Sequence, residues 1–205
     1  MNDNDSIVPI PWDTVALDIR AYEAKEFSEN SLKLASKTTG HHTIRVNPLD
    51  SKQLLHEYGF YYCDTLVEPF CSRERFVPHY HADVSTRSVS SFEDVLAIGH
   101  GAFKHGRFHR DFNLPPERAD ARYDNWLRQL YFEGKVHGLF FQDYLAGFIG
   151  CENGALVLHA IRPSCQGHGL AKFLWTPVCI SIFETGYSEI SSSISASNSA
   201  VMNLY

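Results

Sequence analysis

The spacing of apolar residues changes along this 205-residue chain, and the changes mark out its elements. Between positions 91 and 103, Phe92, Val95, Leu96, Gly99 and Phe103 recur at three- and four-residue intervals, the spacing of one helix face. Ser91 precedes them as an N-cap, with Asp94 in the capping-box position. A second helical pattern covers 117–133 through Tyr123, Trp126, Leu127 and Leu130. The pattern then turns strand-like. Positions 136–141 and 145–150 predict a hairpin around Gln142-Asp143. The run Ala155-Leu156-Val157-Leu158-His159-Ala160-Ile161 predicts a strand. Positions 172–183 are apolar and long enough for a helix, and 189–194 supply one more strand. Helix, helix, three strands, helix, strand is an α/β order.

The residues before 76 carry short strand-like runs and one helix. Positions 43–46 read as a strand. Asp50 caps a helix over 51–58, which Gly59 ends, and 60–63 and 65–67 continue as strand. The stretch 71–91 is polar, with Arg73, Arg75, Pro78, His79 and His81, and reads as a linker. The expected division is an N-terminal α/β half-domain over 1–76, a linker over 77–90 and a second domain over 91–205.

Composition narrows the classes. A hydrophobic share of 44% with 20% charged residues fits a soluble globular protein with one domain or two small ones. The net charge of −6 argues against nucleic acid as a partner. No apolar run is long enough to span a membrane, and Met1-Asn2-Asp3-Asn4-Asp5 is too acidic for a signal peptide. The five cysteines, Cys63, Cys71, Cys151, Cys165 and Cys179, form no CxxC pair. Free thiols in a reducing cytosol account for them, so the expected location is cytoplasmic. Cys165 has no paired base nearby in sequence that would make it a nucleophile. His79 and His81, or His105 and His109, have ligand-like spacing but no third ligand at a recognisable offset, so no metal is expected.

The richest chemistry lies in Ile161-Arg162-Pro163-Ser164-Cys165-Gln166-Gly167-His168-Gly169-Leu170-Ala171. A strand, a glycine-bearing loop and a helix start make an anion site, because free backbone N–H groups and the positive end of the helix dipole converge there. Gly167 and Gly169 allow a diphosphate close to the backbone. A dinucleotide fingerprint would need a third glycine where Lys172 stands, and no phosphate loop of the Gly-Lys-Ser/Thr kind is present. An ordinary strand-to-helix turn with two glycines stays open on these residues alone.

The series Gln166-x-x-Gly169-x-Ala171, after the strand ending Ile161-Arg162-Pro163, resembles the coenzyme A loop of the GNAT acetyltransferases. Asn198 and Tyr205, seven positions apart, resemble a second GNAT motif. On their own they also read as a helix cap and a packing tyrosine. The resemblance implies the GNAT acyl-CoA N-acyltransferase fold with a small N-terminal α/β half-domain. It implies that strands 155–161 and 190–194 splay to admit the pantetheine arm of acetyl-CoA. The implied coenzyme contacts are Ile161, Gln166, Gly167, His168, Gly169, Leu170, Ala171 and Asn198, with the Ile161 N–H on the thioester oxygen. Tyr205 would protonate the leaving thiolate. His159 is the only titratable group in its strand before Arg162 and is a candidate base; the alternatives are a histidine that faces the sheet and proton removal through water.

Three further stretches resemble, within that family, the dTDP-fucosamine branch, which acetylates dTDP-4-amino-4,6-dideoxygalactose. They are Pro11-Trp12-Asp13, positions 47–60, and Arg107-Phe108 followed by Arg122-Tyr123-x-x-Trp126. This resemblance implies acetyl transfer to the amine of a nucleotide-linked amino sugar. Phe103, Arg107, Phe108, His109 and Tyr123 are the substrate-side candidates. Arg107 reads either as a diphosphate contact or as a surface arginine. Another amine as acceptor, or a non-catalytic acyl-CoA binder, are the rival readings. The implied partner is a small-molecule amine, with no nucleic acid and no membrane insertion, and a homodimer is compatible with it. GNAT domains continue past the tyrosine into two more strands. An open sheet edge, a truncated chain and doubtful activity are therefore the expectations here.

Overall fold

The computed structural model describes residues 6–205, so the acidic run over 1–5 and its reading lie outside the described residues. In chain order the first elements are β1 (Ile7–Pro9), α1 (Pro11–Leu17), β2 (Ala21–Ala24), α2 (Glu29–Lys37), β3 (His41–Ile44) and α3 (Gln53–Glu57). Next come β4 (Leu66–Val67), β5 (Phe70–Ser72), β6 (Val84–Arg87), α4 (Phe92–Gly99), α5 (Arg107–Arg110) and α6 (Pro116–Phe132). The last are β7 (Val136–Phe141), β8 (Tyr144–Glu152), β9 (Ala155–Ile161), α7 (Ala171–Glu184), β10 (Glu189–Ser192), β11 (Ile194–Ser195) and α8 (Ser199–Met202). The chain divides into two units: residues up to 65 with 107–122, and 66–106 with 123–205.

The first unit holds the sheet β1-β2-β3, with β1 antiparallel and β3 parallel to β2. It contains more helix than its sequence suggests. α1 is seven residues opened by Pro11, and α2 is opened by a capping box between Ser28 and Ser31; both are too short or too polar for a clear period. The helix expected over 51–58 is reduced to α3, with Lys52 rather than Asp50 at its N-cap, and Asp50 instead closes a turn onto Asn47. The strand expected over 43–46 starts earlier, at His41, and 60–63 is not strand.

This unit is organised around buried charge. Asp111, 5% exposed, lies 2.9 Å from His41 Nε2 and accepts from the Tyr61 hydroxyl at 2.5 Å and the Asn113 N–H at 2.9 Å. Asp13 accepts from Arg122 Nε at 3.2 Å, and the same guanidinium lies over the rings of Trp12 and Phe108. A buried carboxylate is tolerated only with such partners.

The second unit is a six-stranded sheet in the order β5-β10-β9-β8-β7-β6. The hairpin forms as expected, with Gln142 and Asp143 both at positive φ. Ser91 accepts from the Asp94 N–H and caps α4. The stretch 77–90, read as a linker, carries β6, which pairs antiparallel with β7. Its four residues alternate half-buried and exposed, a pattern too short to stand out from the polar residues around it.

The expectation of an open sheet edge is overturned. β5 runs antiparallel on β10, with Cys71 opposite Ile190, and β4 pairs with β11. Unpaired strand groups need partners, and residues 66–72 supply them from upstream in the sequence.

Both faces of this sheet are covered. On one side α7 contributes Leu174, Trp175, Val178, Cys179, Ile182 and Phe183 to a core with Leu139, Ile149, Leu156 and Ile190. On the other side α4 and α6 pack Phe92, Val95, Ile98, Leu127 and Leu130 against Phe148, Leu158 and Ala160. Leu156 and Leu158 therefore face opposite sides although they are two apart. The register between β8 and β9 shifts so that Cys151 pairs with Leu156 and Gly150 with Leu158, which leaves Val157 as an extra residue. Such a bulge turns the rest of the strand over. It puts His159 and Ile161 on the α7 side.

Candidate functional site

β9 and β10 are parallel neighbours for two residue pairs only, Ser191 with Ala155 and Ser192 with Leu156. The chain then leaves β9, and β11 pairs with β4 instead. Among the described residues the far half of β9 thus has no strand on that side, the separation expected for strands 155–161 and 190–194. On its other side, Arg162 N–H donates to Ala146 O at 2.7 Å. Alternation along an antiparallel ladder then turns the backbone groups of Ile161 toward the gap. The Ile161 carbonyl is met there by Gln166 Nε2 at 2.7 Å. Gln166 therefore braces the loop onto the end of β9.

The loop after β9 makes one turn of tighter helix, Pro163–Cys165, and then passes through Gly167 (φ 75°) and Gly169 (φ 69°). Space around both is open, so conformation rather than crowding selects glycine. α7 begins at Ala171 after Leu170, which offers no capping side chain. Phe173 N–H is already met by the Leu170 carbonyl at 3.0 Å, and the N–H groups before it, which an α-helix leaves without an acceptor of its own, suit an anionic ligand.

On the α7 side of the gap stand His159, Trp175 and Tyr205. The Tyr205 hydroxyl lies 3.1 Å from His159 Nε2, and the His159 ring meets the Trp175 indole edge-on at 5.2 Å between centroids. Desolvation pushes the imidazole down to about 4, which keeps it neutral above that pH. The neutral imidazole and the hydroxyl share this hydrogen bond, with its donor set by the imidazole tautomer. Tyr205 is 45% exposed as a residue, but desolvation of its hydroxyl end raises the phenol's pKa, and the neighbouring Ser192 and Trp175 side chains oppose that rise. The Asn198 Oδ1 accepts from the Val201 N–H at 3.3 Å and caps α8.

The other candidates are distributed between the units. Phe103 and Tyr123 stack at 4.9 Å in the second unit. Arg107, Phe108 and His109 belong to the first. Phe108 is 3% exposed and lies beneath the guanidinium groups of Arg107 and Arg122. His109 Nε2 lies 2.9 Å from Asp120. These three side chains take part in the packing of the first unit. Trp12, Asp13, Phe108 and Arg122, drawn from separate stretches of the sequence, meet in one cluster there. His79 and His81 pack on Phe173, and among the described residues no group of three or more potential ligands is placed to hold a metal.

Trp175 is the site residue that the sequence pattern does not reveal. It reads as one apolar position among many in a helix. Its place one turn after Ala171, on the helix that follows the glycine loop, is the only sequence signal for it.

No protein-family model matches the chain, and no curated protein sequence matches it. Solved structures do. A GCN5-related N-acetyltransferase from Sphaerobacter thermophilus superposes with a TM-score of 0.52 at 17% identity, over 76% of this chain and 50% of that one. A tandem GNAT protein from the clavulanic acid biosynthesis pathway gives 0.51 at 12% identity, over 91% of this chain and 73% of that one. A Drosophila protein gives 0.55 at 13% identity, over 91% and 65% respectively. The chain thus spans half the length of the Sphaerobacter protein. At these identities the likeness establishes the fold: this chain has the GNAT acetyltransferase fold.

Proposed function

We propose that the chain is an acyl-CoA-dependent N-acetyltransferase. The observation that carries the reading is the glycine loop and uncapped α7 start beside the unpaired half of β9. Open amides suit a diphosphate, and an unpaired strand edge suits the amides of a pantetheine arm. The loop residues Gln166, Gly167, His168, Gly169, Leu170 and Ala171, with Ile161, form the coenzyme site in this reading. Asn198 contributes by capping α8, the short helix that leads to Tyr205.

In the reaction the acceptor amine attacks the thioester carbon, the new C–N bond forms and the C–S bond breaks. The Ile161 N–H stabilises charge on the thioester oxygen. Tyr205 gives its hydroxyl proton to the departing thiolate sulfur, and the amine releases its proton to water. His159 is not the base for the amine in this reading, because its Nε2 is already engaged with the Tyr205 hydroxyl and its proton affinity is depressed by burial. Its role is to orient that hydroxyl.

The proposed acceptor is the amine of a nucleotide-linked amino sugar, supported by the resemblance of Pro11-Trp12-Asp13, Arg107-Phe108 and Arg122-Tyr123-x-x-Trp126 to the enzymes that use one. Calorimetry with acetyl-CoA tests the coenzyme reading. The parent protein is expected to bind, and Gly169→Glu, which places a carboxylate against the diphosphate at a left-handed position, is expected to weaken binding at least about a hundredfold. Equal affinity in a folded variant removes the loop from the site. Thiol release with a dTDP-4-amino-4,6-dideoxyhexose, a peptide amine and an aminoglycoside then ranks the acceptors. A faster rate on either of the last two moves the protein to another acceptor class.

A further inference from the structure

The Trp175 indole nitrogen is buried and has no hydrogen-bond partner, in a residue only 7% exposed. Leaving a buried donor empty costs free energy, so an orphan of this kind calls for a reason. The reason lies in its neighbours. Trp175 is edge-on to His159, whose Nε2 holds the Tyr205 hydroxyl. Indole and phenol flank the same imidazole, and the indole lowers the phenol's proton affinity although its N–H makes no hydrogen bond of ordinary geometry. The other hydroxyl at this place is otherwise engaged: Ser192 Oγ donates to the Leu156 carbonyl at 2.8 Å. The remaining titratable groups that act on the phenol are the thiols of Cys179 on α7 and Cys151 on β8, which disfavour a phenolate. With Ser192 committed and His159 Nε2 already bonded to the hydroxyl, the indole N–H is the donor left without a partner.

We propose that Trp175 is a positioning residue for Tyr205: its indole N–H stands empty while the hydroxyl is held by His159, and is taken up by the phenolate oxygen once the proton has gone to the departing thiolate. The role rests on the acetyl-transfer reading above. The proton passes from Tyr205 Oη to the sulfur as the C–S bond breaks, and the phenolate recovers a proton from the water that received one from the amine. No oxidant or further reactant is needed. A hydrogen bond to a charged oxygen is stronger than one to a neutral hydroxyl. An N–H that gains its partner only after proton transfer therefore favours the later state over the resting one.

Two measurements test this on the whole chain. In the parent protein, the indole N–H resonance of Trp175, one of three tryptophans, is expected to move as the Tyr205 phenol titrates, and to stop responding in Tyr205→Phe. In Trp175→Phe, which keeps an aromatic ring and removes the N–H, the phenol is expected to titrate at higher pH by ring-carbon NMR of labelled tyrosine. The same variant is expected to lose about tenfold in kcat with KM for acetyl-CoA within about twofold, and its alkaline limb is expected to shift upward. An indole resonance that ignores the phenol titration overturns the proposal even if Trp175→Phe fails to fold, and so does an unchanged phenol titration in a folded variant. Absence of acetyl-CoA binding by the parent overturns the functional reading instead, and leaves both titrations readable.

Discussion

His159 owes its situation to a single extra residue. Without the bulge at Val157 the strand would alternate straight through from Leu156, and the imidazole would lie on the face that α4 and α6 cover rather than against α7. Once there it is desolvated, and its proton affinity falls to about 4 from an ordinary 6.5. A depressed histidine has a definite consequence for stability. Between those two values the unfolded chain takes up a proton that the folded chain does not, so stability falls as pH drops from about 6.5 toward about 4. Urea unfolding over that range is expected to show the loss, with a shallower slope in His159→Gln. Part of the slope is expected to persist, because burial depresses His137 in the same direction. An identical slope in the variant places the acid sensitivity elsewhere. At this scale the sequence was informative where chemistry and backbone need coincide. Gly167 and Gly169 were legible because few other residues take their φ. The roles of His159 and Trp175 were not, because a bulge and a helix rotation decide where those rings point.

Among the elements, β8 and β9 hold the site's geometry through one close approach. A methyl group on Gly147 would stand 2.5 Å from the Ala160 carbonyl oxygen and 3.2 Å from Ile161 Cα, both backbone atoms. Neither can swing aside as a side chain could. Gly147→Ala is therefore expected to force the end of β9 outward, to cost about 1–3 kcal/mol in urea unfolding and to weaken acetyl-CoA binding. Unchanged stability together with unchanged affinity would show that the strand end yields without consequence. β5 gives a second test. Ser192 N–H donates to Pro69 O and Arg73 N–H to Ser188 O, so Cys71, midway between and opposite Ile190, lies in a hydrogen-bonded pair. Cys71→Pro removes its N–H and is expected to cost about 3 kcal/mol and to raise amide exchange at Glu189–Ser192. Exchange at the parent rate would mean that β10 needs no cover. The helices and strands from 91 onward were legible in the sequence because their periods are long and regular. β5 and β6 were missed because three or four residues among charged and proline-rich neighbours show no period, and their pairing depends on partners distant in sequence.

For the whole molecule, the division into two units puts the proposed coenzyme site in the second and splits the acceptor candidates, with Arg107, Phe108, His109 and Arg122 in the first and Phe103, Tyr123 and Trp126 in the second. Every residue of the glycine loop, the open edge of β9 and the Tyr205 cluster lies in the second unit. Phe108, by contrast, is a core residue of the first, enclosed with Arg122, Trp12 and Asp13. The stretches Pro11-Trp12-Asp13, Arg107-Phe108 and Arg122, each singled out for its resemblance, meet in one cluster, and packing suffices to connect them. That distinction has measurable consequences. Phe108→Ala is expected to destabilise the first unit by about 3–5 kcal/mol, as for a large buried ring, and to leave acetyl-CoA affinity in the folded protein unchanged. Acetyl-CoA at about a hundred times its Kd is expected to stabilise the parent by about 2.7 kcal/mol, with slower amide exchange over residues 161–172. Gly169→Glu is expected to cost about 1–2 kcal/mol without ligand, because it puts a side chain at a left-handed position, and to lose both ligand effects. If Phe108→Ala instead weakens acetyl-CoA binding while the protein remains folded, the coenzyme site depends on the first unit and cannot be assigned to the second alone.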